Sequence, residues 1–254
     1  LYSARSMEFM TPEGQQRAVD TCKLLGLQGI VGIGGDGTFR GLQALSHYGI
    51  NVVGIPGTID NDIGCSEYTI GYDTAANTAV ENIDKLRDTM QSHERCSIVE
   101  VMGHTAGHLA LYVGLATGAT AVLVPERPVD FQHDVIEKIQ NARIAGRTHY
   151  MIIVAEGAGS AQSYGEKLKE ALNLDVRVTV PGHVQRGGTP SARDRVAATR
   201  MGDRAVELLA SGKTNRIICV KNGKVSDVDM EEGLAMKRGL YTQDLRVLDT
   251  MTGI

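Results

Sequence analysis

Residues 56–62, Pro56-Gly57-Thr58-Ile59-Asp60-Asn61-Asp62, follow the apolar run Val52-Val53-Gly54-Ile55. A short apolar run closed by turn residues reads as a buried strand, and Pro56 with Gly57 ends it. Thr58, Asp60 and Asp62 then stand at alternate positions of the loop, so a hydroxyl and two carboxylates share one small region. Such a loop can hold a phosphate oxygen, a metal or water, and a proton acceptor. A second loop, Gly34-Gly35-Asp36-Gly37-Thr38, follows the apolar run Ile30-Val31-Gly32-Ile33. Its glycines let the backbone approach a polyphosphate, and Asp36 offers a hard oxygen suited to Mg²⁺. Together the loops point to phosphoryl transfer from a nucleotide.

Outward from these loops, β-type runs alternate with helical patterns. Thr11-Pro12-Glu13 predicts an N-cap with Pro at the first helical position and a helix to about Leu25. Helical spacing recurs through Leu42 and Leu45, from Asp73 to Met90, over Leu109–Ala116, through Val135, Ile136, Ile139 and Ala142, and from about Ser191 to Leu209. Further strands are expected at Ile98–Val101, Ala121–Val124, Met151–Ala155 and Val176–Val180. Repeated strand–helix alternation argues an α/β fold built on doubly wound, mostly parallel sheets. No internal repeat or low-complexity linker divides the chain, and two lobes are expected.

The 254 residues suffice for one large domain or two smaller ones, and 42% hydrophobic with 22% charged residues is ordinary globular composition. The net charge of −4, with scattered basic residues, argues against a nucleic-acid or anionic-membrane surface. No apolar run approaches membrane-spanning length. Cys22, Cys65, Cys96 and Cys219 show neither close pairing nor metal-ligand spacing, so buried or free thiols in a reducing cytoplasm are expected.

In open α/β sheets ligands bind beyond the carboxyl ends of the strands. Polar clusters fall there: Gly35–Thr38, Thr58–Asp62, Met102-Gly103-His104, Glu156-Gly157 and Gly182-His183-Val184-Gln185-Arg186-Gly187-Gly188. Each has a structural reading of its own. A glycine-rich loop after a strand is often only a tight turn, and paired Asp residues often form turns or caps. His104 and His108 are four apart, but no Glu between them matches the metalloprotease pattern, and Gly107 weakens a helix there. Arg95 and Arg177, taken singly, read as solvated surface charges.

The set as a whole resembles the bacterial-type ATP-dependent 6-phosphofructokinases. The resemblance rests on Ser3-Ala4-Arg5, Gly34–Thr38, Pro56–Asp62, Val99-Glu100-Val101-Met102-Gly103 and Gly182–Gly188, in order and at matching spacing across almost the whole chain. It implies transfer of the ATP γ-phosphate to the 1-hydroxyl of fructose 6-phosphate, Mg²⁺ as cofactor, a cytoplasmic enzyme of glycolysis, and usually a homotetramer. It implies a nucleotide lobe of residues 1–71 plus 185–235 and a sugar-phosphate lobe of residues 72–184 plus 236–254. Asp60 would accept the sugar hydroxyl proton, with Thr58 lining the transferring phosphate and Asp62 supporting both. Asp36 would hold Mg²⁺; Arg5, Ser6, Gly35, Gly37 and Thr38 would face the nucleotide. Met102, Gly103, His104, Glu156, His183 and Arg186 would bind the sugar phosphate. Arg95 and Arg177 would reach the 6-phosphate bound to a neighbouring subunit. Arg87, Gly118 and Arg147 match or approximate effector positions.

Gly37 and Gly57 bear on the donor. Related pyrophosphate-dependent enzymes typically carry Asp at the first position and Lys at the second; glycine at both is expected to leave room for a nucleotide. Three departures stand out. The family's first strand and its glycine-rich loop precede the segment matched here, and the chain opens on Leu1, so a longer natural protein is expected. His104 stands where the family usually has Arg, which grips phosphate bidentately as His cannot. Thr120 stands where an acid usually helps hold the effector's metal. The alternatives are a pyrophosphate-dependent phosphofructokinase and a catalytically weak regulatory subunit.

Overall fold

The computed structural model describes residue 4, residues 6–91 and residues 95–252, and within them the chain makes two four-stranded sheets. The chain divides into two units. The first takes Leu1–Thr58, Asp62–Ile70 and Ser191–Arg238; the second takes Ile59–Asn61, Gly71–Pro190 and Gly239–Ile254.

In the first unit the strands β1 (Ile30–Gly34), β2 (Val52–Pro56), β7 (Arg216–Lys221) and β8 (Lys224–Asp229) lie in the order β1-β2-β7-β8. β2 runs parallel to both neighbours, while β7 and β8 are antiparallel. Every residue of β2 is buried, which is why it reads as a continuous apolar run rather than an alternation. Helix α2 (Asp36–Ser46) lies close on β2, because Gly54 has no side chain: a Cβ there would sit 2.7 Å from the Phe39 ring. Phe39, Val52, Ile217 and Cys219 join that core. Helices α1 (Pro12–Leu24), α7 (Ala192–Ala210) and α8 (Met230–Ala235) complete the unit. Thr11 caps α1 by accepting from Gly14 N, and Ser191 caps α7 by accepting from Asp194 N, each satisfying a free helix-end donor.

In the second unit β3 (Cys96–Val101), β4 (Ala121–Leu123), β5 (Tyr150–Ala155) and β6 (Val176–Thr179) are all parallel, in the order β4-β5-β3-β6. Helices α3 (Tyr72–Gln91), α4 (His108–Thr117), α5 (Lys138–Ile144), α6 (Ala161–Leu172) and α9 (Thr242–Thr252) belong to it. Ile98, Ile139, Ile152, Val154 and Leu168 form its core. The architecture is α/β with two mostly parallel sheets, as the alternation of elements implies. The hairpin β7–β8 and the helices α6, α8 and α9 are additions to the elements expected from sequence. The pattern read over Val135–Ala142 is a π-helical turn, Gln132–Glu137, running into α5. Among the described residues no helix is long and apolar enough to cross a membrane.

Candidate active site

In the first unit the loops after β1 and β2 lie side by side because their strands pair in register, Ile33 with Ile55 and Gly34 with Pro56. Gly57 N donates to Gly34 O at 2.9 Å, and Ile70 N donates to Pro56 O at 2.9 Å. The Thr69 hydroxyl donates to Thr58 O at 2.7 Å, fixing the backbone of that loop. Asp36 opens α2, with its half-exposed carboxylate 2.8 Å from Arg40 Nε. Gly35 and Thr38 flank it on the same turn, with Thr38 N donating to Gly35 O at 3.0 Å. Ser6 Oγ accepts from Phe9 N at 3.2 Å, within the 3₁₀ turn Glu8–Met10. Arg5 lies outside the described residues.

The two donor-loop glycines differ. A Cβ on Gly37 would meet nothing within 4 Å, so the space beside Asp36 is open. A Cβ on Gly57 would lie 2.9 Å from Ile33 Cγ2. A side chain at 57 would displace the Ile33 side chain of β1, whereas at 37 there is room.

Within the Thr58–Asp62 loop, Asn61 is buried with φ +52°, a left-handed position that Asn tolerates better than most residues. That residue turns the chain between the two carboxylates. Asp60 and Asp62 are half-buried, and Asp60 Oδ1 is shielded from solvent.

In the second unit β3 and β5 pair Val101 with Ala155, so Met102 and Glu156 leave the sheet together. Glu156 Oε1 accepts from Gly103 N at 3.1 Å and from His104 N at 2.5 Å. Gly103 has φ +152° and His104 φ +54°, so two successive residues take backbone angles uncommon for L side chains, held by that one carboxylate oxygen. The His104 side chain is exposed, while His108 is buried at the start of α4, so the pair does not form a ligand face. Met102 N donates to Gln185 Oε1 at 3.2 Å, which brings in the 3₁₀ turn Gly182–Arg186 with its exposed His183 and Arg186. Gly107 N donates to Glu126 Oε1 at 2.7 Å, giving α4 an acidic partner at its amino end.

Arg95 and Arg177 do not join this cluster. Arg95 precedes β3, whose carboxyl end leads into Met102, and Arg177 in β6 pairs with Ser97 near the amino end of β3. At about 3.3 Å per residue, the five steps from Ser97 to Met102 alone span about 16 Å. Instead both arginines grip Asp175, Arg95 Nε at 2.7 Å and Arg177 Nη2 at 3.3 Å. The hydrogen bond from Arg95, with the charges of both guanidiniums, holds the Asp175 carboxyl below its ordinary range.

A cavity of about 320 Å³ opens elsewhere in the second unit, lined by Arg87, Thr117, Gly118, Thr120, Arg147, His149, Met151 and Met251. It gathers Arg87, Gly118 and Arg147, which lie far apart in sequence. Arg87 donates to Thr117 O, and Arg147 Nη2 donates to Met251 O at 2.9 Å. None of the lining residues is a carboxylate.

Gln185, Glu126, Asp175 and Thr69 are the residues that sequence reading missed. Only Gln185 carried a signal, by its place inside the stretch Gly182–Gly188.

A family model described as Phosphofructokinase matches residues 1–209. The ATP-dependent 6-phosphofructokinase of Brevibacillus brevis is 52% identical over 240 residues, covering 94% of this chain and 75% of that protein. The ATP-dependent 6-phosphofructokinase of Clostridium botulinum (strain Hall) is 45% identical over 252 residues, covering 99% of this chain and 78% of that one. Phosphofructokinase from Saccharomyces cerevisiae superposes with a TM-score of 0.84 at 29% identity over 98% of this chain, which spans 36% of that longer one. A pyrophosphate-dependent phosphofructokinase from Marinobacter aquaeolei superposes with a TM-score of 0.81 at 21% identity and shares the fold. Paired phosphate-type loops, an acceptor-type cluster at the strand ends and this extent of likeness agree: the chain belongs to the phosphofructokinase family.

Proposed function

We propose that the protein is an ATP-dependent 6-phosphofructokinase that moves the ATP γ-phosphate to the 1-hydroxyl of fructose 6-phosphate, in cytoplasmic glycolysis. The observation that carries the choice of donor is the open space at Gly37 beside Asp36. A nucleotide's α-phosphate and ribose need such room, and an acidic side chain there would crowd and repel them. The names of the bacterial relatives favour the same donor.

In this reading Asp60 takes the proton of the 1-hydroxyl as its oxygen bonds to the γ-phosphorus. The bond from that phosphorus to the β–γ bridging oxygen breaks, and ADP leaves. Thr58 lines the transferring group and Asp62 supports it. Arg5, Ser6, Gly35, Gly37 and Thr38 serve the nucleotide. Met102, Gly103, His104, Glu156, His183 and Arg186 serve the sugar phosphate. Glu156 Oε1 is committed to the loop, which leaves Oε2 for a sugar hydroxyl. Asp36 fits Mg²⁺: one exposed carboxylate is the usual protein share when the substrate's phosphates supply the remaining ligands. That ion neutralises phosphate charge when bound.

The position of Arg95 and Arg177 at the far strand ends supports a role toward the 6-phosphate on a neighbouring subunit, in a homotetramer. A strictly monomeric protein with full activity would remove that part of the reading. Arg87, Gly118 and Arg147 are assigned to an effector site in the arginine-lined cavity.

The test compares specificity constants for ATP and pyrophosphate with fructose 6-phosphate as acceptor. ATP is expected to be preferred. A clear preference for pyrophosphate overturns the donor, and no turnover with either overturns the enzyme in favour of a regulatory subunit.

A further inference from the structure

Two segments assigned to the sugar phosphate meet on one buried side chain that neither the family likeness nor the proposed roles account for. Gln185 is 1% exposed. Its Oε1 accepts from Met102 N at 3.2 Å, and its Nε2 donates to Gly182 O at 3.3 Å. One partner is a donor and the other an acceptor, so a neutral carboxamide satisfies both together. Met102 is buried, and a buried backbone N–H without an acceptor is costly. The residues that follow Met102 hold unusual backbone angles, with both their amides donating to Glu156 Oε1. On the other side, Gly182 begins the turn with φ +57° and sets where His183 and Arg186 emerge.

We propose that Gln185 is a positioning residue of the sugar-phosphate half-site, a buried brace that sets the Met102–His104 loop against the Gly182–Arg186 turn so that both take their binding geometry together. This rests on the sugar-phosphate reading above. Gln185 itself does not reach the substrate; it acts through the residues it holds. A core glutamine with no such role would affect stability and leave the balance between the two substrates unchanged.

The test uses the full chain and two variants. Gln185→Met keeps length and approximate volume and removes both hydrogen bonds. Gln185→Glu keeps an oxygen opposite Met102 N and loses the carboxamide donor. Hydrogen exchange of the Met102 amide and the KM for each substrate are measured alongside thermal stability. In Gln185→Met the KM for fructose 6-phosphate should rise about 10-fold, the size expected when a buried donor loses its acceptor. The KM for ATP should stay within about twofold, and Met102 exchange should quicken. Gln185→Glu should keep most of the Met102 protection, with a smaller rise in the sugar-phosphate KM. Unchanged exchange at Met102, an unchanged sugar-phosphate KM, or both KM values rising together overturns the brace. If Gln185→Met does not fold, Gln185→Glu decides alone, and a sugar-phosphate KM equal to the parent's overturns the proposal. Failure of the parent protein to phosphorylate fructose 6-phosphate counts against the functional reading, while the exchange measurement still judges the brace.

Discussion

Asp60 sits one residue from a left-handed Asn61 and two from Thr58, half-buried with one carboxylate oxygen shielded from solvent. A sugar hydroxyl is a poor nucleophile until its proton is leaving, and Asp60 is the residue assigned to take it. Asp60→Asn keeps the shape and loses the basicity. Its kcat should fall about 10²–10⁴-fold, with sugar-phosphate binding largely kept. Near-normal turnover at saturation with both substrates would remove Asp60 from that role. Residues of this kind were legible in the sequence because turn chemistry is local: proline, glycine and alternating carboxylates announce themselves within seven positions. Gln185 and Asp175 were not, because their partners Met102 and Arg95 lie 83 and 80 residues away. Gly57 shows the reverse case. Sequence suggested space for a ligand, and the structure shows close packing against Ile33.

Among the elements, the strands that sequence located were those of the parallel pairs β1–β2 and β3 to β6, each carrying a short run of mostly Val, Ile or Ala. In the hairpin β7–β8, β8, Lys-Val-Ser-Asp-Val-Asp, escaped because it is polar and lies at a sheet edge. Its signal was the pair Asn222-Gly223, with φ +51° and +72°, the pairing that a two-residue hairpin turn favours. The strands also bury thiols. Burial pushes the Cys96 thiol in β3 up to about 12. Burial and the neighbouring Cys219 raise Cys65 to about 11. A thiol that stays protonated in the fold but ionises near pH 9 when unfolded contributes stability that is full below pH 9. That contribution is lost as pH rises through the folded value. Urea unfolding at pH 8 and pH 10 should therefore show a loss of about 1 kcal/mol per pH unit above 9 from Cys96. Cys96→Ala should show a shallower slope, and identical slopes would refute the assignment. With all four cysteines buried, a thiol-reactive disulfide should label them only after unfolding.

For the molecule as a whole, the arginine-lined cavity marks where a regulatory anion is expected. With Arg87, Arg147 and His149 present and no carboxylate among its lining residues, the cavity suits a phosphate. Arg147→Ala should weaken binding of a nucleoside diphosphate, read by calorimetry, about 10-fold or more, with the ATP KM unchanged. Binding unaffected by the substitution would place the effector elsewhere. The sheet type was legible because alternating strands and helices admit few arrangements. The gathering of Arg87, Gly118 and Arg147 was not, since it depends on helix ends and on α9 returning to the second unit. There Lys138 pairs with Asp249, and Arg147 reaches Met251. The interleaving of the units also has a temporal side. β2 is an interior strand, yet its partner on one side is β7, and the paired residues Val53 and Arg216 are 163 positions apart (216 − 53). A ribosome adding roughly 5–20 residues per second takes about 8–33 s to bridge that interval. Throughout it, the most apolar strand of the first unit has one open hydrogen-bonding edge while the second unit's strands are already being made. Birth order thus favours completion of the later-starting sheet first, and it leaves β2 the segment with the longest wait and the greatest need of shelter.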